Sequence, residues 1–137
     1  MKHLLIGAFC LISLSLKSQT QKDETANDIS NLKLDERKLD SLYELILLKY
    51  TDDPMFIKNF ELAQNAWRKY YKLEVKAMFP DYMPNPYGSM FLSCESVYAR
   101  KLIKARINEV LLWLVGSEDG ACKSSIKPKP ALNDTTR

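Results

Sequence analysis

Between Ser30 and Gly116 the prolines and glycines fall at two joints: Pro54, behind Thr51-Asp52-Asp53, and the group Pro80, Pro84, Pro86 and Gly88. Proline lacks a backbone N–H and clashes with the preceding helical turn, so a helix cannot run through either joint. The chain is thereby divided into three segments, each long enough for a helix of several turns.

Apolar spacing agrees with that division. Leu32, Leu39, Leu42, Tyr43, Ile46 and Tyr50 recur at three- and four-residue intervals, which predicts a helix from about Ser30 to Tyr50 with one apolar face. Asp53 is a side chain that caps free N–H groups, and Pro54 suits a first helical position, so a second helix is predicted from Pro54 to about Phe79. Its stripe holds Phe56, Phe60, Ala63, Trp67, Tyr70, Tyr71 and Met78, with Lys58, Glu61, Arg68, Lys72 and Lys76 on other faces. A third helix, from about Met90 to Val115, carries Cys94, Val97, Tyr98, Leu102, Ala105, Val110, Leu112 and Trp113, and Gly116 stops it. Strand-like alternation is absent from the sequence. The expected fold class is all-α: an antiparallel three-helix hairpin bundle with a Pro-rich loop between helices two and three.

The ends read differently. Met1-Lys2-His3 is basic, Leu4 to Leu16 is an apolar run broken by Gly7, Ser13 and Ser15, and Ser18 offers a small residue for cleavage. This is the pattern of a signal peptide, residues 1–18, and its apolar run is shorter than the roughly 20 residues that a membrane span needs. The expectation is a periplasmic or secreted protein without a permanent membrane anchor. Residues 19–29 are polar without apolar period and are expected to be a flexible leader, with the helical domain over 30–116 and a polar tail over 117–137.

Cleavage at Ser18 removes Lys2 and Lys17 from the 20 basic residues and none of the 17 acidic ones, leaving a net charge of +1. Nucleic-acid binding needs a concentrated basic face, and that balance does not supply one. Cleavage also removes His3, the single histidine. Triads, Cys–His pairs and histidine metal sites need an imidazole, so no enzyme of those classes is expected. Glu61, Glu74, Glu95 and Glu109 sit where helices present charge to water, with no cleft in the sequence to raise one pKa for acid–base work. Helix capping accounts for Asp52 and Asp53 without a metal, and no cofactor is implied. Cys94 and Cys122 remain, and in an oxidising compartment two leftover cysteines are expected to pair.

The most distinctive stretch is Ala63-Gln64, then Ala66-Trp67 and Tyr70, followed beyond the loop by Gly88-Ser89 and Cys94. This order, over about residues 35–115, resembles the bacterial lysozyme-inhibitor LprI family of small exported helical proteins. The resemblance implies an exported binding protein whose partner is a protein of the lysozyme-type muramidase class. Val75 stands where family members usually carry a cysteine, and Ala99 and Leu102 stand in place of a threonine and an arginine. If Cys94 pairs within this chain, Cys122 must replace the usual partner.

In physical terms, Ala63 and Ala66 would let another helix approach closely, Trp67 and Tyr70 would add apolar bodies with polar tips, and Gln64 would bond the Pro80–Ser89 loop or a partner. Tyr82, Met83 and Tyr87 form the candidate binding loop, because such anchors are enriched at protein interfaces and prolines limit the entropy lost on docking. The alternative reading is a cell-envelope adaptor or structural module with an endogenous protein partner.

Overall fold

The computed structural model describes residues 2–84, 86–116 and 124–127, with side chains described from Gln19 onward. These residues form three α-helices, α1 (Lys2–Lys49), α2 (Pro54–Met78) and α3 (Phe91–Val115), with a 3-10 turn at Gly88–Met90 leading into α3. The fold class is the expected one, an all-helical bundle.

Local chemistry sets the joints. Asp53 caps α2: its carboxylate accepts the Phe56 N–H at 2.9 Å, and Pro54 follows in the first turn. Gly116 ends α3 with φ 87°, a left-handed conformation that side chains other than glycine rarely adopt. Gly88 begins the 3-10 turn at φ 72°.

Side-chain partners give the topology. Tyr50 stacks on Phe56 at 4.1 Å, Tyr43 on Phe60 at 5.5 Å, and Asp40 pairs with Arg68 at 2.6 Å, so α1 and α2 run antiparallel. Phe60 meets Trp113 at 5.4 Å, Gln64 meets Arg106 at 3.1 Å and Glu74 meets Tyr98 at 3.1 Å, so α3 also runs antiparallel to α2. The first and third helices are therefore parallel, and their contacts keep a nearly constant offset: Asp28 with Ser93, Asp35 with Arg100, Tyr50 with Trp113.

Leu39, Ile46, Tyr50, Phe56, Phe60, Ile103, Ile107 and Val110 make the buried core. Aromatic clusters close both ends. Tyr43, Tyr50, Phe56, Phe60 and Trp113 pack beneath the α1–α2 turn, and Phe79, Tyr82, Tyr87, Phe91 and Tyr98 pack beneath the α2–α3 loop. Edge and offset arrangements of this kind add about 0.5–1.5 kcal/mol per pair beyond area burial.

The structure corrects the sequence reading in three places. First, residues 19–29 are helical, continuous with α1, and Asp28 reaches Ser93. The segment lacks apolar period because its tertiary bond is polar. Second, Ala63 and Ala66 are exposed, and so is Tyr70 beyond them. The small residues that let two helices approach are Ser93, Ser96 and Ala99 on α3, all buried against α1. Third, the buried face of α3 continues through Ile103, Ile107 and Val110, so Cys94, Val97, Ala105 and Leu112 face outward. Residues 110–115 at the end of α3 are all apolar, and hydrophobicity there marks no face.

Beyond α3, Ser124–Lys127 returns to the α1–α2 turn. The Lys127 N–H donates to the Tyr50 hydroxyl at 2.9 Å, and that hydroxyl donates to the Trp113 carbonyl at 3.3 Å. Lys127 Nζ donates to the Lys49 carbonyl at 3.0 Å and to Asp52 at 2.8 Å. Lys49 Nζ donates to the carbonyls of Trp113 and Leu114 at 3.0 and 2.8 Å, satisfying acceptors that a helix end leaves open.

Candidate binding sites: the α2–α3 loop and the α1–α2 cleft

The loop predicted to bind begins where α2 stops. Phe79 packs edge-on against Tyr87, Phe91 and Tyr98, and Tyr87 stacks on Phe91 at 5.2 Å and on Tyr82 at 6.3 Å. Tyr98 in turn donates its hydroxyl to Glu74, so the loop is tied to the last turns of α2 and the first of α3. The Met83-Pro84 peptide is cis.

The three loop residues take different positions. Tyr87 is half-buried as the middle of the ring stack, Tyr82 is 58% exposed, and Met83 is 93% exposed. A cavity of about 180 Å³ opens among Pro80, Asp81, Tyr82, Met83, Tyr87 and Phe91. Burial against the neighbouring rings, with the charge of Asp81 nearby, raises the Tyr87 pKa, and burial together with the Glu74 hydrogen bond raises that of Tyr98. Both hydroxyls are therefore neutral donors over the physiological range. Ser89, exposed on the 3-10 turn, faces α1 across a second cavity of about 360 Å³ lined by Gln21, Lys22, Thr25, Ala26 and Ile29.

The remaining motif residues do not gather at the loop. Gln64 is 1% exposed and accepts the Arg106 Nε–H at 3.1 Å, with no bond to the Pro80–Ser89 segment. Its Nε2 has no hydrogen-bond partner, an orphaned donor in the bundle interior. Trp67 is half-buried, stacked on Tyr71 at 5.4 Å, with the Arg106 guanidinium 5.8 Å from its ring centre. Cys94 is exposed with a free thiol, and Cys122 lies outside the described residues.

Trp67 instead lines a cleft between α1 and α2 that sequence reading passed over. The cleft holds about 290 Å³, bounded by Glu36, Leu39 and Asp40 of α1, Trp67, Arg68, Tyr71 and Lys72 of α2, and Ile103 of α3. Leu39 and Ile103 are buried core residues and form an apolar floor. Burial, the Glu36 charge and a hydrogen bond to Glu36 push the Tyr71 pKa up to about 12. The signal lay in the spacing. Glu36 and Asp40 stand four apart on α1, as do Arg68 and Lys72 on α2, and antiparallel packing sets the two pairs opposite each other.

Several of the carboxylates weighed for acid–base or metal chemistry have structural partners. Asp53 caps α2, Asp52 pairs with Lys127 rather than capping, Glu74 accepts from Tyr98 and Glu109 pairs with Arg106 at 2.9 Å. Among the described residues no group of three or more histidine, cysteine or acidic side chains stands where it could hold a metal ion. Among the described residues, too, no helix is long and apolar enough to cross a membrane. No protein-family model, curated protein or solved structure matches the chain.

Proposed function

We propose that this chain is an exported, non-enzymatic binding protein that docks on another protein through the α2–α3 end of its bundle. The observation that carries the reading is Met83, 93% exposed beside the 58% exposed Tyr82, on a loop whose base is fixed by stacked rings. Large apolar side chains held in water on an ordered support mark interaction surfaces, and a pre-ordered loop loses little entropy on docking. The resemblance of the Ala63–Tyr70 stretch, Gly88-Ser89 and Cys94 to the LprI family supports a lysozyme-type muramidase as the partner.

The test is a titration of lysozyme turnover of cell walls with the secreted form of the chain, alongside Tyr82→Ala and Met83→Ala. Inhibition that both substitutions weaken by tenfold or more, with helicity unchanged, supports the reading; each residue would then rank as a hot spot of more than about 1.4 kcal/mol. Turnover unaffected at high molar excess removes the muramidase.

A second reading rests on charge. With a net charge of +1 after cleavage, the chain has no long-range attraction for a cationic enzyme. That favours an envelope adaptor with an endogenous protein partner, which a pull-down from envelope extract would recover with the wild type and lose with Tyr82→Ala.

A further inference from the structure

The α1–α2 cleft contains a charge ladder with one closed rung and one open rung. Asp40 and Arg68 close the first, 2.6 Å apart. Glu36 and Lys72 stand one turn from that pair on their helices, both on the cleft wall; Glu36 accepts the Tyr71 hydroxyl, and neither residue forms an ion pair with the other or with any other described residue. The floor between them is apolar, Leu39 and Ile103, and the α2 wall is the stacked Trp67–Tyr71 pair.

We infer that the cleft binds a small zwitterion, a free amino acid with an aromatic or aliphatic side chain, which completes the open rung. The ligand's ammonium group goes to Glu36, its carboxylate to Lys72, and its side chain lies over Trp67 and the Leu39–Ile103 floor. Each part answers a feature of the cleft. A carboxylate and an ammonium on opposite walls demand opposite charges on one ligand, and an indole face attracts both apolar groups and the positive end of the molecule. Volume limits the size: about 290 Å³ stands at the lower edge of the roughly 300–1,000 Å³ usual for ligand pockets, room for a single amino acid.

The inference is independent of the loop reading, since the cleft and Met83 share no residue.

The test is a nuclear magnetic resonance titration of the full chain, following the indole N–H signals of Trp67 and Trp113, with Trp67→Phe assigning them. The probes are phenylalanine and leucine, compared with phenylacetate and phenethylamine, which each keep one of the two charges. The expected result is a saturable shift of the Trp67 signal by at least one of the two amino acids, half-complete at about 1 mM or below, with Trp113 unmoved. Phenylacetate and phenethylamine should bind at least fivefold more weakly. Glu36→Gln and Lys72→Met should each weaken amino-acid binding roughly three- to fivefold, the scale of a partly exposed charge contact, while leaving helicity intact. No shift of Trp67 by either amino acid at about 10 mM would overturn the inference. So would equal binding of the singly charged analogues, or undiminished binding in both charge variants.

Discussion

Arg100 of α3 donates its Nε–H to Asp35 of α1 at 3.0 Å, one heptad along both helices from the bond between Ser93 and Asp28. The two bonds share a 65-residue offset and fix the register of the parallel pair, which the small side chains Ser93, Ser96 and Ala99 bring close together. Both Arg100 and Asp35 are mostly covered, with side chains 23% and 18% exposed. Asp35→Ala and Arg100→Met are each expected to cost about 1–3 kcal/mol, between the value of an exposed pair and that of a fully buried one. Urea unfolding followed by circular dichroism reads the cost; a loss below about 0.5 kcal/mol in both would show that this pair does not hold the register.

Tyr50 connects the returning segment to the bundle, since its hydroxyl accepts from Lys127 and donates to Trp113 while its ring stacks on Phe56. Tyr50→Phe keeps the ring and removes both bonds, an expected loss of about 1–2 kcal/mol. Lys127→Met tests the same connection through pH. The Lys127 hydrogen bond is the largest cause lowering the Asp52 pKa, so this pair contributes stability above the ordinary carboxylate range and loses it as pH falls through the lowered value. Acid titration of the melting temperature should show a smaller low-pH decline in Lys127→Met than in the wild type.

Gln64 offers a test of opposed effects. Gln64→Met removes the unpartnered Nε2 and also the acceptor of Arg106, which keeps Glu109. The two changes oppose each other, and stability should stay within about 1 kcal/mol of the wild type. Phe60→Ala, which opens a cavity in the core a turn away, should cost about 3–5 kcal/mol.

The joints between the helices were legible in the sequence, the start of α1 was not, and the faces were only partly so. Asp53-Pro54 and Gly116 act through the backbone within a few residues, so their effect can be read locally. Leu39, Ile46, Tyr50, Phe56 and Phe60 were legible as a core because their apolar spacing is what buries them. Asp28, Asp35 and Arg100 were not, since a polar side chain on a helix looks solvated until its partner on a distant segment is known. Ala63 and Ala66 looked like a close helix contact, yet α2 presents them to water and α3 supplies the small residues instead. The cleft was missed for a related reason. Arg68 and Lys72 read as part of a wet face, Glu36 and Asp40 carried no signal of their own, and only the antiparallel pairing of α1 and α2 sets the two pairs opposite each other.

Tyr71 should be the slowest tyrosine to ionise. Its pKa lies at about 12, raised first by burial and then by Glu36, whereas an ordinary tyrosine ionises near 10. A raised folded pKa means that the neutral phenol favours the folded chain: this contribution is complete below about pH 10 and is lost as pH rises toward 12. Absorbance titration of tyrosinate should resolve one late-ionising group, absent from Tyr71→Phe and shifted to lower pH in Glu36→Gln.

Cys94 is exposed and free, near the start of α3, and Ser125 accepts the Trp113 indole N–H at 3.4 Å near the end. Cys122, its expected partner, lies outside the described residues. Native Cys94 should alkylate with a maleimide without denaturant, as mass mapping would show; complete protection reversed by reductant would establish the bridge instead.

The parallel pairing of α1 with α3 also has a consequence in time. Asp28 and Asp35 meet their partners 65 positions later in the chain, so the bonds that set their register form only after α3 has been synthesised. Contacts so distant in sequence must first overcome the entropy of closing the intervening loop, and this slows their formation relative to local helical turns. A ribosome releasing this chain therefore emits α1 and α2 before the helix that sets their register.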